Sequence, residues 1–230
     1  KENVVERIIK KLEDLKNTKV EEQPPLPIEN NVLKTFSIEN EPVVELVNNR
    51  EREYIFADLP DIGYSTDIDT VMASSYQVKK QLQQIVKIEQ PITNTLLYKR
   101  ILRIWNLTRV TTRLQVFIDN LLEDAYKDPL SGDTIIYWED EEKAKDCDFY
   151  RINSKRDILD IPILEVMSAA RYAIEQQISM PTEDLKRLTS QLLGFSRKGN
   201  NLDMVTEQTI QLLIDQGIFS HANGMVSMNN

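Results

Sequence analysis

The feature that most constrains the fold of this chain is a repetition. The stretch IWNLTR at residues 104–109 is answered by LLGFSR at residues 192–197, 88 positions later. The register holds without a gap well beyond those six residues. Val78 falls on Val166, Val86 on Ile174, Leu97 on Leu185, Ile104 on Leu192, Leu114 on Leu202 and Leu122 on Ile210. Self-similarity at a fixed offset means one small structural unit used twice. Apolar spacing, turns and caps keep step together, which coincidence between two generic helical hairpins does not explain.

Each unit reads as three helices and a hairpin. In the first, Val78, Leu82, Ile85 and Val86 recur at helical spacing. EQPIT interrupts the stripe, and a second one runs through Leu97, Ile101, Ile104 and Trp105. Asn106 ends that helix and Gly194 ends its counterpart; both residue types tolerate the positive φ of a helix C-cap. A third helix is predicted from Thr112, where Thr112-Arg-Leu-Gln115 has the form of a capping box. Its core face is Leu114, Phe117, Ile118, Leu121 and Leu122. SGDTIIYW and DFYRI are predicted as paired strands around the charged tip EDEEKAKDC. In the second copy the turn pair Asn223-Gly224 between apolar runs is a hairpin signal. The expected fold class is therefore mainly α with small β-hairpins, built as tandem winged-helix-like (helix-turn-helix) repeats over 75–155 and 156–230. An N-terminal helix (1–20) and an acidic, proline-containing linker (21–74) precede them. Prolines 24, 25 and 27 cannot continue a helix.

Composition excludes several chemistries. Only six glycines are present and no G-x-x-x-x-G-K-[ST] occurs, so there is no phosphate-binding loop of a motor ATPase. Cys147 and His221 are the single cysteine and histidine, too few for a zinc site within one chain. One cysteine also fits a reducing, cytoplasmic compartment. No apolar run reaches the ~18 residues of a membrane span. The chain opens KENVVERIIKKLEDLK, without a signal peptide and without Met, which is the expectation for a piece of a longer protein. No cofactor and no catalytic residues are expected. The carboxylates between residues 133 and 148 are consecutive rather than convergent, which reads as a solvated acidic wing instead of a metal-dependent nuclease.

The net charge of −9 argues against wholesale nucleic-acid binding, but its distribution is uneven. Residues 1–74 hold 9 Lys and Arg against 16 Asp and Glu, whereas residues 75–130 hold 9 against 5. Residues 163–218 hold 5 against 7. The first copy is thus a basic island. If its third helix enters a major groove, Arg113, Gln115 and Asn120 reach DNA, while Lys99, Arg100 and Arg103 on the second helix touch phosphates. Arg109 and Arg197 stand at equivalent places and are expected to hold the corner by bonding helix-end carbonyls. On the second copy, Asp203 and Glu207 would repel phosphates, so that face is expected to pack on protein.

The stretch VKIEQPITNTLLYKRILRIWNLTRVTTRL also resembles a known family. Glu89, Pro91 and Ile92 match its opening, Trp105, Leu107 and Arg109 its corner, and Arg113 with Leu114 its last helix. Gly194, Phe195, Arg197 and Gly199 match the corner again. The family is the domain of unknown function at the C-terminal end of large bacterial superfamily 1 helicase-related proteins. The resemblance covers roughly residues 75–220 and implies a parent with motor and restriction-endonuclease-like domains upstream. It carries no catalytic residue. Two functions are expected from these readings. One is a non-catalytic accessory module that positions nucleic acid, DNA above all, through the first repeat, in genome defence or repair. The other is a protein–protein module that docks on the parent's remaining domains or on a second copy of itself.

Overall fold

The computed structural model describes residues 49–64, 66–129 and 134–229. The expected N-terminal helix and the proline-bearing part of the linker lie outside these residues. The described chain opens with β1 (Glu51–Glu53) and α1 (Ile68–Ala73). It continues through α2 (Ser75–Glu89), β2 (Ile92–Thr93), α3 (Asn94–Ile104), α4 (Thr112–Leu121), β3 (Tyr126–Lys127) and β4 (Ile136–Trp138). A connecting stretch holds α5 (Glu141–Lys145), β5 (Tyr150–Ile152) and a 3₁₀ turn at Ile158–Asp160. Then come α6 (Ile163–Glu175), β6 (Met180–Pro181), α7 (Thr182–Leu192), α8 (Asn200–Asp215), β7 (Phe219–Ala222) and β8 (Met225–Met228). The described residues are mainly helical, with two small antiparallel sheets and one pair of parallel strands.

The two halves share one plan. Helices start at residues 75 and 163, 94 and 182, and 112 and 200, and the first strands at 92 and 180, each pair 88 apart. In both, the last strand of the unit sits between the other two: the sheet orders are β2-β4-β3 and β6-β8-β7. The local chemistry repeats as well. Asn106 takes φ 48° and Gly194 φ 89°. Around Asn106, its N–H donates to Arg103 O at 3.2 Å and that of Leu107 to Leu102 O at 2.9 Å. Gly194 donates to Gln191 O and Phe195 to Ser190 O, both at 2.9 Å. This double bond is the Schellman closure of a helix end. A Cβ on Gly194 would meet no atom within 4 Å, so the position needs glycine's backbone freedom rather than its small size. Asn223 and Gly224 have φ 52° and 75°, the primed turn that joins β7 to β8 between the paired Ala222 and Met225.

Each half buries its own core. Val78, Leu82, Ile85, Leu97, Ile101, Leu114 and Ile118 are fully enclosed in the first. Ala170, Ile174, Leu185, Leu213, Phe219 and Val226 form the centre of the second. Side chains of this size contribute about 1.5–3 kcal/mol each when buried.

Three expectations need correction. The stretch expected as a linker lying against another surface is, in its described part, built into the first core. Ala57 and Val71 are buried in the first core with Leu59, Ile62 and Ile68 against it, and Ile62 N–H donates to Ile104 O at 2.9 Å. These apolar residues are too sparse to show a period, yet they join the core that α2, α3 and α4 build. Second, IIYW and DFYRI do not form a hairpin. β4 pairs with β2 on one side and β3 on the other, so neither edge is open to β5, which runs parallel to β1 instead. The charged tip coils into α5, because Asp140 caps it by accepting from Lys143 N–H at 2.9 Å and Lys145 reaches Glu141 one turn back. Third, the cap of α4 is Thr111, which accepts from Leu114 N–H at 3.2 Å. Thr112 is already helical and Gln115 closes no box.

Candidate functional site

The chain spends its most buried charges where the two halves meet. Glu165, on α6, is fully enclosed. Arg156 bonds it through both terminal nitrogens, at 2.7 and 2.8 Å, and Arg151 at 2.5 Å, while the Arg151 N–H adds a bond at 3.0 Å. Arg151 continues across to the first half, donating to the carbonyls of Glu89, Gln90 and Pro91 at 2.7, 3.2 and 2.6 Å. The Nε atoms of both arginines are buried without a partner. Burial alone would raise the Glu165 pKa, but the charges and hydrogen bonds of Arg151 and Arg156 prevail and lower it from 4.5 to about 2.

That shift has a consequence for pH. The native carboxylate binds its proton less readily than the unfolded one, so acid favours the unfolded chain. The stabilisation is complete above about pH 4.5 and is lost as pH falls from there towards 2. Denaturant midpoints measured between pH 6 and 2.5 are expected to decline mainly below 4.5, and the Glu165→Gln variant to lose that part of the slope.

The predicted DNA-facing cations fall into this seam and its margins. Arg100 is bound to Glu89 through Nε at 3.0 and 3.1 Å and through Nη2 at 2.9 Å, and Nη2 also reaches the Tyr54 hydroxyl at 2.9 Å. Tyr54 donates to the same carboxylate. The Arg100 guanidinium lies 4.3 Å over the Phe56 ring. Lys99 grips the buried Asp160 at 2.6 and 2.7 Å. Arg100 is thus committed to a carboxylate inside the fold, and Lys99, its side chain still half exposed, ties α3 to the turn that leads into the second half. Arg103 and Arg113 remain at the surface, Arg103 3.8 Å from Asp58 and Arg113 2.8 Å from Asp69. Pairs so exposed contribute little. Gln115 is half-buried and Asn120 exposed, and neither side chain is bonded among the described residues. The structure does not bring these six into one free basic patch.

The corner role expected of Arg109 and Arg197 is not what the structure shows. Both are exposed, and neither is bonded among the described residues. The backbone closes both corners by itself, because a residue at positive φ turns two N–H groups onto the last helical carbonyls. The arginines are therefore spare.

A second feature lies between α7 and α8. A groove of about 550 Å³ is lined by Lys186, Arg187, Phe195, Arg197, Lys198 and Asn200 among others. A shallower depression shares Phe195, Arg197 and Asn200 with it. Lys186 is nearly buried and draws three carboxylates: Asp203 at 2.6 Å, Glu183 at 3.2 Å and Glu207 at 3.6 Å. Arg187 holds Asp184 at 3.0 Å. Arg197 and Lys198 are exposed and have no carboxylate partner among the described residues.

Neither the seam nor the groove is conspicuous in the sequence. The seam does leave one signal. Glu165 lies beside Val166 and four residues before Ala169 in a helix apolar nearly all round, and a charge so placed has to find a partner. Its partners, 14 and 9 residues earlier, carry none. Cys147 is pushed up to about 12 by burial and by the nearby Glu165 charge, so its thiol stays protonated. Among the described residues no group of three His, Cys, Asp or Glu is placed to hold a metal ion.

These features define a class: a mainly helical protein of two helix–strand–helix–helix–strand–strand units joined by a buried ionic seam. A family model described as a protein of unknown function (DUF3320) matches residues 73–116, from the end of α1 to the first turns of α4. No curated protein and no solved structure matches the chain. No helix among the described residues is long and apolar enough to cross a membrane.

Proposed function

We propose that the chain is a non-catalytic accessory module, built of two winged-helix units, that positions nucleic acid within a larger bacterial helicase- or nuclease-like protein. The observation that carries this reading is the sheet order shared by both halves, with the strand after the first helix at one edge and the closing hairpin folded back beside it. That order supports the winged-helix reading, in which the third helix of each unit faces a groove. Here α4 exposes Arg113, Val116 and Asn120, and α8 exposes Asn200, Asn201, Met204 and Gln208. The resemblance of residues 75–220 to a helicase-associated C-terminal domain supports the same context, and with it a part in genome defence or DNA repair.

The test is fluorescence anisotropy with labelled duplex, forked and single-stranded DNA over a salt series. Salt-sensitive binding is expected, because phosphate contacts release counterions. Absence of binding to every form, or binding indifferent to salt, sinks the reading.

A second reading has an observation of its own. Lys99 and Arg100 are consumed by Asp160 and Glu89, which leaves the first unit with less free positive charge than its sequence promises. A module that docks on the parent's other domains, or on a second copy, fits that loss. Light scattering and co-purification with the parent separate this reading from the first.

A further inference from the structure

We infer that the groove between α7 and α8 of the second unit holds one strand of nucleic acid with an unpaired base. The inference rests on the nucleic-acid reading above and goes beyond it in naming the unit, the cleft and the form of the ligand.

Charge selects the unit. In sequence, the second unit is the acidic one and the first the basic island. Folding narrows that difference. The first unit's Lys99 and Arg100 are held by Asp160 and Glu89, and Arg103 and Arg113 stand beside Asp58 and Asp69. In the second unit, Asp203, Glu207 and Glu183 gather on Lys186, while Arg197 and Lys198, like Arg109 in the first unit, are exposed with no carboxylate partner among the described residues. The hairpin that closes this unit carries no acidic residue from Gln216 to Asn230. The groove is lined by Lys186, Arg187, Arg197 and Lys198 against Glu183 and Asp203, so a phosphate entering it meets more positive than negative side chains.

Shape and chemistry select the form. At about 550 Å³ the groove is in the size range of clefts that enclose small ligands. A duplex presents a convex backbone and keeps its bases stacked inside. A single strand can turn a base into a cleft. Phe195 offers an aromatic ring at the wall shared by the groove and the depression beside it, and Asn200 an amide that can both donate to and accept from a base edge. An aromatic ring with flanking cations is the combination that sequence-tolerant single-strand binders use. Arg197 and Lys198 take the backbone phosphates and Phe195 stacks on the base.

The experiment is anisotropy of the full chain with fluorescein-labelled oligo(dT), oligo(U) and a blunt duplex at several salt concentrations. Folding of each variant is checked by circular dichroism. The wild-type chain is expected to prefer a single strand, DNA or RNA, over the duplex. The double variant Arg197→Ala with Lys198→Ala is expected to weaken single-strand binding roughly tenfold or more and to reduce the salt slope by about 1.4, two contacts at ~0.7 each. Phe195→Leu keeps an apolar side chain against the core and is expected to weaken the single strand roughly fivefold or more while leaving the duplex unchanged. If binding persists unchanged in both variants but falls with Arg103→Ala and Arg113→Ala, the nucleic-acid reading stands and this inference is overturned. A stronger duplex than single-strand affinity overturns it too. If no nucleic acid binds at all, the broader reading fails with it.

Discussion

Replacing Glu165 by Ala is expected to cost about 3–5 kcal/mol, the range for removing one partner from a buried charge cluster. The reason is what the substitution leaves behind. Arg151 and Arg156 are nearly without solvent access, and each aims its guanidinium at this one carboxylate. With it gone, two positive charges remain enclosed, and Arg151 keeps only the carbonyls of Glu89, Gln90 and Pro91 and half-buried aromatic faces such as Tyr54. Urea denaturation followed by circular dichroism measures the loss. Changing the three together, Arg151→Met, Arg156→Met and Glu165→Leu, is expected to recover much of it, since an apolar set of similar volume removes the desolvation cost along with the charges. A single-site cost below 1 kcal/mol would show that the arginines reach water, and the seam would lose its structural role.

Leu97→Ala and Leu185→Ala form the second large prediction. The two leucines stand 88 residues apart, at the same place on α3 and α7, and both are fully buried. Each is expected to cost about 2–5 kcal/mol through lost transfer energy and the cavity that remains. They belong to separate cores, so the double variant is expected to show the sum of the two costs within about 0.5 kcal/mol. A large departure from additivity would mean that the halves do not hold separate cores and share strain across the seam. Hydrogen exchange distinguishes the cases by site, because Leu97→Ala should loosen α2, α3 and α4 before it touches α6, α7 and α8.

Much of this fold was legible in the linear chain, and the legible part has a common cause. Helix α3 announced itself by Leu97, Ile101 and Ile104, its end by Asn106, and the last hairpin by Asn223-Gly224. Each of these is decided within a few residues: a stripe that recurs every three or four, or a turn that only certain residues can take. The repeat multiplied the signal by stating it twice. What was misread depended on distant partners. The strand β5 was expected against IIYW, and it pairs with β1, about a hundred residues earlier. The acidic stretch before α2 looked like a linker because its apolar residues have no period, though Ala57 and Val71 are core. The cap of α4 was missed by one residue, between two adjacent threonines that sequence alone does not tell apart.

The site divides in the same way. Lys99, Arg100, Arg103 and Arg113 were counted as one basic surface because charge along the chain adds up regardless of direction. In three dimensions each has its own surroundings: Glu89 holds Arg100 largely inside the fold, while Lys99 reaches the buried Asp160 with its own side chain still half exposed. The amino-acid order by itself determined the kind of unit, its duplication and its local joints, since those are short-range matters of period and backbone conformation. Only the tertiary structure decided which charges are spent inside and which stay outside. Coulomb attraction depends on distance in space, and Lys99 and Asp160, 61 residues apart, become neighbours only when the two halves close on each other.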